Sequence, residues 1–399
     1  MKENIQPEAR YHIHPAYTLM PDDHCAFIAN SRGVGMFNPP EDIDSNFKPA
    51  TVGDKEVHYL NAIRAPFSLE GFPWGDPEKG EFFRLPAGLT EQQVNSGALW
   101  NAWHNTSGGA VRFRTDSPFI AIRSQLSDSG DMNHMPRAGS AGFDLYCGPS
   151  KNSFHIGTAQ PNPREEILER MLVVRAPEDT GMRDWTVNFP LYGGLKTIEI
   201  GLAPGSAVEA PAPHECGKIV FYGSSITQGG CASRPGNNYC SMLCRAVDAE
   251  QVNLGFSGCG RGEIAVAEAI AGIKGLGAFV MDYDHNAPTP EHLLATHEPF
   301  FKVVREANPD LPIVMMSLCN IWRYRGYDTA CKRRDIIKAT YDKAVAAGDK
   351  HVYFIDGETL FGRYDREACT VDTCHPNDLG FYRMFENTLP TLKRALSEA

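Results

Sequence analysis

The chain has 399 residues, of which 42% are hydrophobic and 22% are charged, and its formal net charge is −11. These proportions are those of a globular protein long enough to form two domains. The acidic balance and the lack of a dense basic cluster exclude an ordinary nucleic-acid-binding surface, and no apolar stretch is long enough to cross a bilayer.

The N-terminal segment does not have the pattern expected of a secretory leader. It begins Met1-Lys2-Glu3-Asn4 without a charged-then-apolar leader, so cytoplasmic location is the default prediction. His12-x-His14 and His24-Cys25 contain metal-ligating residue types, but no third and fourth ligand follow at a supporting spacing, so we predict no metal and no cofactor. The 11 cysteines are an odd number and are scattered, which favours buried reduced thiols over a disulfide framework.

Short alternating runs rich in β-forming residues occupy the stretch from Val111 to Leu202, with Gly, Pro and Asp clusters between them. The clearest are Val111–Thr115, Phe119–Arg123, Phe143–Tyr146, Trp185–Phe189 and Thr197–Leu202. Many short strands with turn signals between them predict a β-sandwich. The first hundred residues are predicted to mix loop and strand.

Two groups of side chains in this first half are candidates for contacting a sugar. Trp100, Trp103 and His104 offer aromatic faces that stack on pyranose rings, although packing in the core of the sandwich is the favoured interpretation. Asp144 and Tyr146 carry the same ambiguity.

A Pro/Ala/Gly-rich stretch from Ala203 to Pro213 predicts a domain boundary, which divides the chain into residues 1–205 and 214–399. After it, strands alternate with helices. The predicted strands are Lys218–Tyr222, Val252–Phe256, Ala278–Tyr283, Ile313–Leu318 and Val352–Asp356. The predicted helices are Tyr239–Ala249, Gly262–Ile273, Pro290–Ala307, Thr329–Ala347 and Leu379–Ser397. This order predicts an open parallel sheet of five strands that binds ligands at its carboxyl edge.

Candidate catalytic residues follow the strands of this second half. The first strand runs into Gly223-Ser224-Ser225, which places the Ser225 hydroxyl at the rim of the sheet, between strand and helix. Gly258 follows the second strand and Asn286 the third, where each offers an N–H group to an oxyanion. Taken alone, each of these segments also fits an ordinary turn or helix cap.

Asp372-Thr373-Cys374-His375 precedes the last helix, and its spacing allows the carboxylate to hydrogen-bond the imidazole. A nucleophile, two N–H donors and an Asp–His pair all fall in carboxyl-side loops of one predicted sheet. Random turns rarely supply this set in this order, so we predict a catalytic serine with Asp372 and His375. Cys259 and Cys374 flank Gly258 and His375, and both are expected to be buried filler rather than nucleophiles.

These motifs resemble the SGNH, or GDSL-type, hydrolase family from about Lys218 to the C-terminus. The strings Gly142–Tyr146 and Phe189–Gly193 resemble a bacterial two-domain subgroup of that family with a β-rich domain in front. The resemblance implies a flavodoxin-like, three-layer α/β hydrolase domain preceded by a jelly-roll-like β-sandwich.

The resemblance assigns the nucleophile to Ser225 and the oxyanion hole to Ser225, Gly258 and Asn286. It assigns the base and its orienting carboxylate to His375 and Asp372. Two positions depart from the family pattern. Ser224 stands where an aspartate usually braces the loop, and Asn286 lies between His285 and Ala287 rather than in Gly-x-Asn-Asp.

The resemblance implies a carboxylic ester hydrolase that removes a small acyl group, such as acetate, from a carbohydrate or related metabolite. An acyltransferase with the same triad is the nearest alternative. A carbohydrate-binding protein without catalysis is a second alternative, which the intact triad disfavours. The predicted partner is a small-molecule or carbohydrate ester, with no nucleic acid and no membrane. The sequence does not set the oligomeric state.

Overall fold

The structure is a computed structural model, and it describes residues 55–94, 102–128, 130–322 and 326–398. The candidates His12, His14, His24, Cys25 and Trp100 lie outside these ranges. In the part of the chain that is described, no helix is both long enough and apolar enough to cross a membrane.

Residues 58–209 form two antiparallel sheets, here called the β-rich region. One sheet consists of β1 (His58–Asn61), β4 (Phe119–Asp128), β7 (Ile167–Val174), β9 (Gly194–Leu195) and β10 (Glu199–Leu202). The other consists of β2 (Ser68–Glu70), β3 (Ala110–Thr115), β5 (Phe143–Cys147), β6 (Phe154–Ala159), β8 (Arg183–Asn188) and β11 (Val208–Glu209). A single helical turn, α1 (Arg137–Ser140), and 3-10 turns at Pro77–Lys79 and Ser150–Asn152 lie in the connections.

The main strands follow the order β1-β10-β4-β7 in one sheet and β3-β8-β5-β6 in the other. Consecutive strands therefore cross repeatedly between the sheets, as in a jelly roll. One buried cluster fills the space between them, with Phe113 and Trp185 from one sheet and Ile122 and Leu168 from the other. The predicted sandwich is confirmed.

Two details of the β-rich region differ from the predicted elements. The strands β6 and β7 have no counterpart among the predicted strands. The Pro/Ala/Gly-rich stretch is also not wholly irregular, since β11 lies within it and pairs with β3.

Residues 216–397, here called the α/β region, form a parallel sheet with helices on both faces. Its strands are β12 (Cys216–Gly223), β13 (Ala249–Gly255), β14 (Leu276–Asp282), β15 (Ile313–Met316) and β16 (Val352–Ile355). Its helices are α2 (Ser225–Gln228), α3 (Tyr239–Val247), α4 (Ile264–Ala271), α5 (Pro290–Ala307), α6 (Tyr327–Ala346) and α7 (Asp378–Ser397). Short 3-10 turns occur at Pro235–Asn237, Asp284–Asn286, Gly357–Thr359 and Arg366–Cys369.

The strand order β13-β12-β14-β15-β16 is the flavodoxin-like order that the sequence analysis expects. Along β12, Ile219 and Phe221 face one buried cluster while Val220 and Tyr222 face the other, so both faces of the sheet are covered. The end of β12 beside β14 is the point where the strand order reverses, which is where such folds bind ligands.

The two regions share buried surface. Trp103 and Leu85 of the β-rich region pack in the cluster that contains Tyr222. Tyr192 and Leu191 pack in the cluster on the opposite face of the sheet. The division into domains at residues 205 and 214 stays a prediction.

Candidate active site

The turn that follows β12 positions Ser225. Ser224 is the N-cap of α2: its hydroxyl accepts the N–H of Ile226 at 3.1 Å, and its own N–H donates to the hydroxyl of Thr227. A Cβ on Gly223 would lie 2.0 Å from that hydroxyl, so only glycine fits before the turn. Ser224 therefore braces the loop where the resemblance expects an aspartate.

The segment before α7 holds the imidazole of His375. Asp372 Oδ1 accepts the backbone N–H groups of Cys374 (3.0 Å) and His375 (2.7 Å), while Oδ2 lies 2.7 Å from His375 Nδ1. Burial acts to raise the pKa of Asp372, but these donors stabilise the carboxylate more strongly and lower its pKa to about 2. The carboxylate is therefore ionised throughout the range in which an imidazole titrates.

His375 Nε2 lies 2.9 Å from the Oγ of Ser225, which is 150 residues away in sequence. The three side chains that the sequence analysis selects thus form one continuous hydrogen-bonded line from carboxylate to hydroxyl. Ser225 is 8% exposed, so only a small part of its surface is open to solvent.

The predicted oxyanion donors lie on neighbouring loops. Gly258 has φ +68°, and a Cβ there would meet no atom within 4 Å, so its backbone borders open space. Its N–H donates to no other backbone group in the described ranges. Asn286 Nδ2 donates to Phe256 O at 2.9 Å, which places the amide against the loop that carries Gly258 and leaves it a second N–H.

Residues of the β-rich region also contact the nucleophile turn and the loop that carries Gly258. Gln228, at the end of α2, donates to Asn105 Oδ1 and Leu191 O, both at 3.0 Å, and accepts the N–H of Ser257 at 2.9 Å. The hydroxyl of Tyr192 donates to Ser225 O at 3.3 Å. One amide side chain therefore connects the nucleophile turn, the oxyanion loop and the sandwich.

Arg84 is a second connection that the sequence analysis did not find. Its fully buried guanidinium donates to Gly255 O (2.6 Å), Asn253 O (3.2 Å) and Ala102 O (2.8 Å). It also lies 4.6 Å from the ring centroid of Phe256. Burial lowers the pKa of Arg84 to about 9. No local pattern marks this arginine, because two of its partners are the backbone carbonyls of Asn253 and Gly255, 169 and 171 residues away, and the third is a carbonyl 18 residues away.

The residues considered for sugar contact have structural partners. Asp144 is fully buried and accepts Asn188 Nδ2, the N–H of Gly236 and the guanidinium of Arg234. Tyr146 is buried and contacts the same arginine. They join the two regions. Trp103 is also buried, but in the cluster shared with the α/β region rather than in the core of the sandwich, whereas His104 is exposed.

The two cysteines beside the site differ. Cys259 is fully buried, as predicted, with its thiol 3.1 Å from Ser257 O. Cys374 is partly exposed, so the expectation that it is buried is wrong. Two residues absent from the sequence analysis lie closer to the imidazole: the ring centroid of His134 is 5.6 Å from that of His375, and Cys231 is buried beside both.

Comparison with known families identifies both regions. Residues 217–393 match the GDSL-like lipase/acylhydrolase family, and residues 57–208 match the N-terminal domain of SGNH-hydrolase-type esterases. The chain belongs to the GDSL-like, or SGNH, hydrolases. It is an ester hydrolase by class. A Ser-His-Asp triad and an oxyanion hole are typical of this family.

Solved structures share the two-region architecture. A protein of Bacteroides ovatus described as a GDSL-like lipase is 28% identical, with a TM-score of 0.75 over 86% of this chain and 99% of that one. The salicylyl-acyltransferase of a tetracycline biosynthetic pathway is 18% identical, with a TM-score of 0.69 over 86% and 98%. An acetyl xylan esterase from the rumen bacterium Butyrivibrio proteoclasticus is 14% identical, with a TM-score of 0.52 over 86% and 99%. No curated protein matches the chain.

Proposed function

We propose that this SGNH hydrolase cleaves carboxylic esters through an acyl-enzyme on Ser225. The observation that carries the proposal is the line from Asp372 through His375 to the Ser225 hydroxyl, with its two distances of 2.7 and 2.9 Å. His375 accepts the proton of the hydroxyl as Oγ attacks the ester carbonyl, and Asp372 stabilises the imidazolium that forms.

The oxyanion of the tetrahedral intermediate is received by the N–H groups of Ser225 and Gly258 and by the Asn286 amide. Such donors act most strongly where charge develops in a site with little water, and the loss of one typically costs about 3 kcal/mol of barrier. His375 then returns the proton to the leaving alcohol. Water, or a second alcohol, attacks the acyl-enzyme with His375 again as base.

We infer that the substrate is a small acyl group, such as acetate, on a carbohydrate or related metabolite. The inference is supported by the architecture shared with the acetyl xylan esterase and by the low exposure of Ser225, which is 8% exposed. The shared fold of the salicylyl-acyltransferase supports the alternative of transfer to an acceptor alcohol. Cytoplasmic location stays a prediction from the sequence.

The test compares the wild type, Ser225→Ala and Ser257→Ala on aryl esters of increasing chain length and on acetylated sugars. Ser257 is a partly buried serine beside Gly258 that belongs to no part of the proposed triad, so its variant is the matched control. We expect Ser225→Ala to lose essentially all turnover, Ser257→Ala to keep it, and acetyl esters to be preferred. Full activity in Ser225→Ala overturns the mechanism, whereas a preference for long acyl chains overturns only the substrate.

Added alcohols distinguish hydrolysis from transfer. If the acyl-enzyme is attacked by an acceptor in preference to water, the ratio of ester product to free acid rises with acceptor concentration at constant consumption of substrate. A ratio near zero at high concentrations of sugar alcohols supports the hydrolase.

A further inference from the structure

Three metal-ligating side chains meet at the catalytic imidazole. A nitrogen of His134, the thiol sulfur of Cys231 and a nitrogen of His375 all lie within 4.8 Å of one another. His134 belongs to the β-rich region, in the connection between β4 and α1, and Cys231 follows the nucleophile turn. Cys231 is 4% exposed and has φ +76°, a left-handed conformation that costs a non-glycine residue on the order of 1 kcal/mol.

The hydrogen bonds of the two imidazoles orient them as metal ligands. His375 Nδ1 is held by Asp372 Oδ2 at 2.7 Å, and His134 Nδ1 is held by Asn133 Oδ1 at 3.0 Å. Histidines that bind metals nearly always donate their other ring N–H to an oxygen in this way, which fixes the tautomer and directs the free lone pair. In both residues Nε2 is the remaining nitrogen.

The direction of the His375 ring supports the same assignment. A Cβ added to Gly230, the neighbour of Cys231, would lie 3.4 Å from His375 Cδ2, the carbon bonded to Nε2. The Cδ2–Nε2 edge of the ring therefore lies close to the chain at Gly230, next to Cys231. The tautomer that catalysis needs, with the proton on Nδ1, is also the one that leaves Nε2 open to a metal.

We propose that His134 Nε2, Cys231 Sγ and His375 Nε2 form a site for a soft divalent cation of the zinc type, and that its occupation inhibits the enzyme. Zn–N and Zn–S bonds of about 2.1 and 2.3 Å place ligands about 3.4 to 3.6 Å apart in a tetrahedron, which small side-chain rotations reach from the present separations. Thiolate and imidazole favour Zn²⁺ or Cd²⁺ over Mg²⁺ and Ca²⁺, which prefer oxygen.

Binding exchanges one set of bonds for another without redox chemistry. The Cys231 thiol releases its proton to solvent as sulfur bonds the metal, and His375 Nε2 exchanges its hydrogen bond with Ser225 for a metal bond. With Nε2 occupied, Ser225 has no base. The inhibition rests on the proposed function, whereas the binding site rests only on these positions.

The experiment measures both binding and rate. Cd²⁺ is titrated while the sulfur-to-cadmium charge-transfer absorption in the ultraviolet is followed, and Zn²⁺ inhibition is scored against the metal-free rate of each variant. The variants are Cys231→Ser and His134→Gln, with Cys374→Ser as the matched control because this thiol adjoins His375 in sequence but lies outside the cluster.

We expect micromolar Zn²⁺ to inhibit the wild type and a chelator to restore it, with Mg²⁺ inert. Cys231→Ser loses the absorption band, and both ligand variants weaken inhibition by about tenfold or more, while Cys374→Ser behaves as the wild type. Ser225→Ala keeps the band although it has no turnover, which separates this proposal from the catalytic one. A band that survives Cys231→Ser, or equal inhibition of all variants, overturns the site.

Discussion

The two regions of the molecule contribute different things to one site. Every side chain proposed to react, from Ser225 to His375, comes from loops of the α/β region. The β-rich region supplies no reacting group, yet its Arg84, Asn105 and Tyr192 contact the backbone or side chains of the loops that do. Chemistry is therefore encoded in one region, and the position of its loops depends on the other.

The difference shows how such a two-region enzyme is held together. Asp144 and Tyr146, which form a recognisable motif in sequence, make no contact with the triad and instead hold the loop of Arg234 and Gly236. This motif of the β-rich region therefore stabilises the interface between the two regions. Four variants test this division, from the largest expected effect to the smallest.

Removal of a reacting group has the largest effect. Asp372→Asn is expected to lower kcat by about 10⁴-fold, because it favours the wrong imidazole tautomer while leaving the geometry nearly unchanged. Because hydrogen bonds from Cys374 and His375 lower the pKa of Asp372 to about 2, we expect the wild-type rate to show no limb from this carboxylate between pH 3 and 5. Steady-state kinetics across pH measures both the kcat of Asp372→Asn and the pH dependence of the wild-type rate. A full rate in the variant contradicts the role of Asp372.

Removal of an oxyanion donor is expected to lower kcat less than the change at Asp372 does. Asn286→Ala lowers kcat by about 10² to 10³-fold with little change in KM, since the amide acts on charge that exists only in the transition state. Its fold is checked by circular dichroism. A change confined to KM would show instead that Asn286 binds the ground state.

Arg84→Met tests the contribution of the β-rich region. It leaves the carbonyls of Asn253, Gly255 and Ala102 without their buried donor, so we expect a lower Tm and a fall of about tenfold in kcat. The control is Arg175→Met, because Arg175 is also buried in the β-rich region but, among the residues that the structure describes, donates hydrogen bonds only to Asp179, Ser117 and Gly181. We expect Arg175→Met to lower Tm without lowering kcat. Equal kcat losses in both would show a general loss of stability.

The smallest expected effect is a change in the pH dependence of Tm, and it comes from His214, which lies at the contact between the two regions. This imidazole lies between Glu70 and Arg112 of the β-rich region and Asp248 of the α/β region. Burial opposes its charge, but the two carboxylates raise its pKa. The stability from the protonated form is present below the unfolded value of about 6.5 and is lost as pH rises through the folded pKa.

The wild-type Tm should therefore fall more steeply than that of His214→Gln from about pH 6.5 upward. The measurement is thermal unfolding at several pH values. Parallel curves for the two proteins contradict a charged His214.

Much of the α/β region is predictable because each element carries its own signal. Helix α5 has a capping Thr289, Pro290 at its first position and an apolar stripe, and its predicted bounds are those observed. The other predicted strands and helices of that region begin and end within three residues of their predicted limits, whereas the bounds of the short helix α2 were not predicted. The candidate triad is also visible in sequence, since each member follows a strand or precedes a helix with a recognisable pattern.

The rest depends on contacts between the regions, for which no local signal exists. Arg84 and Gln228 act through backbone groups far away in sequence, and any arginine or glutamine resembles them. His134 was missed for the same reason, because only the docking of the β-rich region on the α/β region brings it to His375. Cys231 was missed because it is 144 residues from His375 in sequence and only the fold of the α/β region brings the two together. Local periodicity predicts elements, but it does not predict which loops meet.

The most direct test is the reaction of the enzyme with a fluorophosphonate at neutral pH, followed by peptide mass spectrometry. Attack by an activated serine predicts one adduct, on the peptide that contains Ser225, and a rate of labelling that falls steeply in His375→Ala. An adduct on Cys374 or on another serine, or no adduct on a protein that still turns over esters, would contradict Ser225 as the nucleophile.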